Sequence, residues 1–500
     1  MAQRFTDEQL IHALIAAGGN KAKAASDLDY DLRQLRRRLR KINYAHKPAA
    51  PKKSNHHTYV ITAAVNATKA HARFIKTLEA YCEERDAKLL VIPMRYRNPT
   101  RRGESTDDEW WDSRLVPHLV HERTRIAPGV QLMADIKIQP TAVNPLQGWL
   151  TVSGTDDAIF GHTKVALQTV ATQPGRKAKI VQTTGACTVE NYSDTNAGAK
   201  GEFHHTLGAL VVEVEGNNVW TRHVCALKDG SFIDLDRKYT PDGSEPAKPA
   251  EVLTMGDIHA ELEDKAVTLA THKLAELIKP KAIVGHDILN FGSASHHNDY
   301  FERFERHAQR RNSVYRELET TAALMDKLAS LCERFVVVGS NHHDHFRQWL
   351  NKHDNALDLE NAVVYHETKG AMLRGIMEGR KVEPFRYWMD QMMKQAASVK
   401  WLQPGESFSK HGVEFGYHGH KGPNGARGST RGFANVGAKV TKGHSHGAEI
   451  VDGAHSVGVS GKLDMGYNAD SPSNWTQSHE ILYSNGKRAL VHLAGGRFFR

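Results

Sequence analysis

Apolar positions recur at helical spacing near the N-terminus and then gather into short unbroken runs further along the chain. Leu10, Leu14 and Ala17 share one helical face, with Thr6 placed to cap it and Gln9 three residues on to complete a capping box. Gly18-Gly19 ends this helix. Asn20 can cap a second, Ala-rich helix reaching about Leu28, and Asp29 or Asp31 a third, in which Leu32, Leu35, Leu39 and Ile42 form one stripe. The opposite face of the third helix carries Arg33, Arg36, Arg37, Arg40 and Lys41.

Residues 46–57, HKPAAPKKSNHH, are polar and Pro-containing, and predict a linker. Beyond them YVITAAV and KLLVIPM predict buried strands around a helix from about Asn66 to Asp86, a βαβ unit. ALVVEVE and VWTRHVCAL surround Gly216-Asn217-Asn218 as a hairpin, and GSFIDLD adds a strand. The Trp110-Trp111 pair reads as core aromatics beside a solvated basic loop holding Arg95, Arg97, Arg101 and Arg102. Residues 240–250, TPDGSEPAKPA, predict a second linker. The chain thus divides into a helical unit at 1–45, a mixed α/β region of unassigned role at 57–240, and a third region at 251–500.

In that third region five apolar runs each end in metal-binding residue types. VLTM ends in GDIHAE, with Asp257 and His259 two apart on the turn after a strand, so that one metal can take both. AIV ends in GHDILNF with Asp287, and FVVVG in SNHHDHF with Asn341 and His342. VEFGYHGH ends at His418, and AKVTKGHSH at His444 and His446. Loops beyond the carboxyl ends of strands in an α/β sheet collect at one edge, where distant positions can meet.

Composition narrows the class. Hydrophobic residues make up 40% and charged residues 25% of the 500, near the globular average, and no apolar run approaches the roughly 20 residues that span a bilayer. No apolar segment follows a basic one at the N-terminus, so no secretory signal is expected and a cytoplasmic location is. Cys82, Cys187, Cys225 and Cys332 lack C-x-x-C spacing, which leaves His, Asp and Asn to hold any metal. The net charge of +9 is concentrated: residues 1–53 carry twelve basic against five acidic residues, a net +7. A basic end on a nearly balanced body predicts a polyanionic partner, most simply DNA.

D-x-H, G-D, G-N-H, H and G-H-x-H in that order resemble the five motifs of the calcineurin-like metallophosphoesterases, which include the SbcD-type DNA nucleases; the likeness covers about residues 251–500. The resemblance implies a four-layer α/β/β/α sandwich. It also implies two metal ions, one held by Asp257, His259 and His446, the other by Asn341, His418 and His444, with Asp287 bridging. His342 would be the catalytic acid, oriented by Asp344. Two motifs depart from pattern: His286 intervenes in GHD, and Ser340 in GSNHHD, so that His343 competes with His342 and, in the fourth motif, His420 with His418. Mixed His and carboxylate ligands suit Mn²⁺, with Fe²⁺ or Zn²⁺ as alternatives, and two such ions activate a shared water.

The stretch GGNKAKAASDLDYDLRQLRRRLRKI resembles the helix-turn-helix of the Fis-type DNA-binding family. Together the two resemblances imply a metal-dependent DNA nuclease or phosphodiesterase, similar to early siphophage proteins that degrade host DNA, acting in the host cytoplasm if phage-encoded and as a homo-oligomer. The alternatives are a phosphatase on a phosphoprotein or nucleotide, and a DNA-binding regulator or scaffold with an inactive phosphoesterase fold.

Overall fold

The computed structural model describes residues 5–16, 21–41, 52–53, 58–96, 110–352, 356–466 and 468–499. Gly18-Gly19, Asn20, Ile42, most of the 46–57 stretch and Arg97, Arg101 and Arg102 lie outside them. Among the described residues no helix is long and apolar enough to cross a membrane.

Three helices open the chain: α1 (Asp7–Ala16), α2 (Lys21–Asp27) and α3 (Leu32–Lys41). The capping box is present. Gln9 N–H donates to Thr6 Oγ1 at 3.2 Å, and Thr6 N–H to Gln9 Oε1 at 2.8 Å. Asp31 caps α3 by accepting from Gln34 N–H at 2.8 Å. Leu10, Leu14, Ala24, Ala25, Leu35 and Leu39 form the buried core of the unit. Arg38 leaves the basic face to close the bundle, donating to the Phe5 carbonyl at 2.6 Å and pairing with Asp7.

The βαβ unit and hairpin stand where the pattern put them. Strands Thr58–Val65 and Lys88–Met94 pair in parallel around helix Ala72–Glu84, and Gly208–Glu215 adds antiparallel, continuing through a tight turn into Asn218–Cys225. The core reading of the tryptophan pair fails for Trp110, which is exposed, while Trp111 is partly buried, its indole N–H donating to the Ala64 carbonyl. The predicted linker at 240–250 is a correction: Arg237–Thr240 pairs antiparallel with Gly243–Pro246, Thr240 opposite Gly243, so Pro241-Asp242 is a hairpin turn within a three-stranded sheet. Pro, Asp and Gly bend a tight turn for the same reasons that they populate linkers.

A six-stranded sheet carries the first half of the candidate site. Its order is Val399–Trp401, Arg334–Val337, Ala282–Gly285, Val252–Thr254, Ser478–Leu482, Arg488–His492; the first four run parallel and the last two antiparallel. Side chains alternate across it as strand geometry requires. Leu253, Ile283 and Phe335 face a helical layer with Leu318, Met325 and Phe346, while Val252, Val284 and Val336 pack on Phe408, Val413 and Phe415. Those last residues belong to or flank an eleven-stranded mixed sheet that includes Val413–Glu414 and Lys439–Lys442. In that sheet Leu167–Val170 pairs antiparallel with Glu449–Val451, so the segments 57–240 and 251–500 share one set of strands.

Candidate metal centre

The five strand ends converge, but from two sheets and not from one edge. Asp257, His259, Asp287 and Asn341 follow the parallel strands of the six-stranded sheet, whereas His418, His444 and His446 follow Val413–Glu414 and Lys439–Lys442 of the eleven-stranded sheet packed against it. Two donor clusters result, each with its ligand atoms within 4.8 Å of one another: Asp257, His259, Asp287 and His446, and Asp287, His418 and His444. Asp287 belongs to both.

The contacts are short and buried. His446 Nε2 lies 3.1 Å from Asp257 Oδ2 and 3.1 Å from His259 Nε2. His418 Nε2 lies 3.1 Å from Asp287 Oδ2 and 3.1 Å from Asn341 Oδ1. His444 N–H donates to Asp257 Oδ2 at 2.7 Å, tying one loop to the other.

Left-handed backbone aims these groups. His259, Asp287, His444 and His446 have φ of 44°, 43°, 73° and 55°, a region that costs a non-glycine residue on the order of 1 kcal/mol or more. Asp287 takes this conformation directly after His286, which turns inward, fully buried, its ring 5.6 Å from that of His418. Gly443 is required for close approach: a Cβ there would stand 2.2 Å from Asp257 Oδ1. Lys442 is buried beneath the same loop, with its ammonium donating to the Gly443 carbonyl at 3.0 Å and Ser445 Oγ at 2.6 Å, and burial pushes it down to about 8.

Electrostatics set His259, His444, Asp257 and Asp287 in ligating form. Burial, then His342, pushes His259 down to about 3; burial, then His418, pushes His444 down to about 4. Burial opposes ionisation of Asp257 and Asp287, but the hydrogen bond from His446 and the charge of His418 hold Asp257 below the usual carboxylate range, and His418 and His342 do so for Asp287. His418 is raised, because Asp287 and Asp257 outweigh its burial. Asp257 Oδ1 and Asp287 Oδ1 are buried without a hydrogen-bond partner among the described residues. Ionised carboxylates, each with one oxygen lacking a donor, beside facing imidazole nitrogens are a set that a divalent cation completes, so the residues fit a metal.

Of the competing histidines, His342 faces a cleft of roughly 1530 Å³ that Asp287, Asn341, His444 and His446 also line. Its Nδ1 lies 2.8 Å from the Asn290 carbonyl, which can only accept, so Nδ1 carries the proton and Nε2 is left toward Asp287, 4.0 Å away. His343 turns into the core against the Phe385 ring. His420 is less buried than His418 and lies behind it, with ring centroids 5.5 Å apart. Asp344 is a correction. It is exposed on helix Asn341–Asn351, and the orienting bond to His342 comes from Asn290, because residues two apart on a helix point to different sides.

Sequence reasoning passed over Asn290, Lys442 and Trp475, whose ring packs 4.2 Å from that of His446. The GHD insertion was the available signal for His286. On α3, Arg33, Arg36 and Arg37 are exposed; the side chains of Arg40 and Lys41 lie outside the described ones.

Residues 7–41 match the family described as bacterial regulatory protein, Fis family. Among solved structures, a Vps29 double mutant from Entamoeba histolytica is 12% identical, covering 35% of this chain and 96% of its own with a TM-score of 0.22. Vps29 of Chaetomium thermophilum is 6% identical over 34% of this chain and 92% of its own, with a TM-score of 0.21. Scores this low add nothing to the geometry. Protein A1 of Escherichia phage T5 is 32% identical over 463 residues, which cover 88% of this chain and 82% of that protein. An identity sustained over nearly the whole of both chains places this protein in the family of phage T5 protein A1.

Proposed function

We propose that the protein is a metal-dependent DNA nuclease or phosphodiesterase of calcineurin-like type. The observation that carries the reading is the sharing of Asp287 by two buried donor clusters that meet at one cleft. Asp257, His259 and His446 would hold one ion, and Asn341, His418 and His444 the other, with Asp287 between them. Carboxylate and imidazole donors together favour Mn²⁺, with Fe²⁺ and Zn²⁺ as the other candidates. When bound, such a pair lowers the pKa of a water and neutralises charge on phosphoryl oxygens.

The chain's own residues supply the remainder. His342 keeps one proton on Nδ1 through Asn290, and a second proton on Nε2 makes it an imidazolium able to donate to the leaving oxygen. The exposed Arg33, Arg36 and Arg37 of α3, with Arg40 and Lys41, would contact the DNA backbone, in keeping with the Fis-family match. The test is incubation of plasmid DNA with the purified chain, with and without Mn²⁺ and after chelation. Metal-dependent degradation is expected. Hydrolysis of small phosphomonoesters with plasmid left intact would make the protein a phosphatase, and inertness toward both would make it a DNA-binding scaffold.

A further inference from the structure

A third cluster of metal-ligand type stands beside the site and shares no residue with it. His296, His297 and His345 bring one ring nitrogen each to within 4.8 Å of one another. Ring centroids of His296 and His297 are 3.9 Å apart, those of His296 and His345 4.8 Å, and those of His297 and His345 5.6 Å. A zinc-type ion 2.0–2.1 Å from each nitrogen needs nitrogens about 3.3 Å apart at tetrahedral angles, so small side-chain rotations close the site.

Both supports are fixed in advance. His345 sits on helix Asn341–Asn351 three residues after His342, on the same face, with the two rings 4.9 Å apart. The loop bearing His296 and His297 is clamped at its start by buried Glu317, which accepts from Gly292 N–H at 3.1 Å, Ser293 N–H at 3.0 Å and Ser293 Oγ at 2.6 Å. Asn298 Nδ2 ties the far end back to the Gly292 carbonyl at 2.9 Å. His345 Nδ1 is buried without a hydrogen-bond partner among the described residues. Burial, then the neighbouring imidazoles, pushes His345 down to about 3, which keeps its lone pair available.

We propose that His296, His297 and His345 bind a third divalent ion of the imidazole-preferring class, Zn²⁺, Ni²⁺ or Cu²⁺, at the rim of the cleft. Three imidazoles without a carboxylate form a neutral set, softer than the two clusters that include Asp257 and Asp287. They leave a fourth position open, and His297 and His345 line the same cleft as His342 and Asp287. The ligand taken there is an anionic oxygen of a phosphate adjoining the one attacked. That last assignment rests on the phosphoesterase reading, whereas the ion itself does not.

The full-length chain, stripped of metal and equilibrated with Zn²⁺, is assayed for bound zinc per chain by mass spectrometry and for affinity by calorimetry. Three ions are expected in the wild type. The His296→Ala/His297→Ala variant, altered only in a loop, is expected to hold two, with unchanged circular dichroism, and His345→Ala is expected to do the same. His446→Ala should lose zinc elsewhere and keep this ion. Equal stoichiometry and affinity in the wild type and the folded double variant would overturn the proposal, as would a wild type holding only two ions, both abolished by changes at Asp257 and Asp287. An ion lost from the double variant but indifferent to His446→Ala and Asp287→Ala, in a chain that binds no other, would uphold the third site and refute the di-metal reading.

Discussion

The Nε2 atoms of His259 and His446 face one another at 3.1 Å inside the protein. With a proton on each Nδ1 the two imidazoles would present lone pair to lone pair, an arrangement that one shared cation relieves, whereas a proton on either Nε2 would join them by a hydrogen bond. With Asp257 Oδ2 3.1 Å from the same His446 nitrogen, a cation satisfies all three at once. His446→Ala or Asp257→Ala should therefore lower hydrolysis of bis-p-nitrophenyl phosphate with Mn²⁺ by on the order of 10²-fold or more while circular dichroism stays unchanged. Wild-type turnover by purified His446→Ala would remove His446 from the ligand set.

On the proposed function, a change at His342 should separate chemistry from metal retention. His342 touches Asn290 and looks toward Asp287 from 4.0 Å. His342→Asn should reduce turnover by roughly 10²- to 10⁴-fold, the range for loss of a general acid, with bound metal unchanged. Loss of half the metal in this variant would move His342 into the ligand shell. His343→Asn should act on stability instead, since that ring packs against Phe385.

The strand ends were legible because apolar runs stop abruptly before D-x-H, GHD and GHSH, whatever the sheet. Which sheet each run joins was not, since Val413–Glu414 is two residues long and nothing local to it or to Lys439–Lys442, its partner, shows that they pair with each other and not with the other three runs. His342 and His343 are adjacent on one helix, and only the packing of Phe385 decides which of them enters the core. His296 and His345 lie on separate elements with no motif between them, so only folding brings their rings together.

Acid should loosen the Asp257 loop through His479. Gly256 N–H donates to His479 Nδ1 at 3.0 Å, and His479 Nε2 lies 2.7 Å from Thr271 Oγ1, so the ring is needed neutral. Burial pushes it down to about 4 from an ordinary 6.5. Between those values the unfolded chain takes up a proton that the fold refuses, so stability is full above pH 6.5 and declines as pH falls toward 4. From pH 7 to pH 5 this one group accounts for about 2 kcal/mol. His162, His223 and His492 are likewise pushed down to about 4, chiefly by burial, so urea midpoints should drop steeply over this range and His479→Gln should shed only part of the slope. An unaltered slope in that variant would exclude His479 as a contributor.

Removing residues 1–53 deletes a net +7 and none of the candidate ligands. Hydrolysis of a small diester should survive, while affinity for duplex DNA falls. The log-log salt dependence, about −0.9 for each phosphate neutralised, should flatten, and Ala at Arg33, Arg36, Arg37 and Arg40 should reproduce most of that change. Equal affinity and equal slope for the intact and shortened chains would assign the helices to assembly.

The pairing of Leu167–Val170 with Glu449–Val451 has an evolutionary consequence. A fragment beginning at residue 251 would present Glu449–Val451 as a raw edge, with its peptide groups open to any passing strand. The half that holds the donor clusters is therefore not a cassette that recombination can lift out and graft onto another protein. Its ancestry is bound to that of the strands encoded before it, and the two must diversify together.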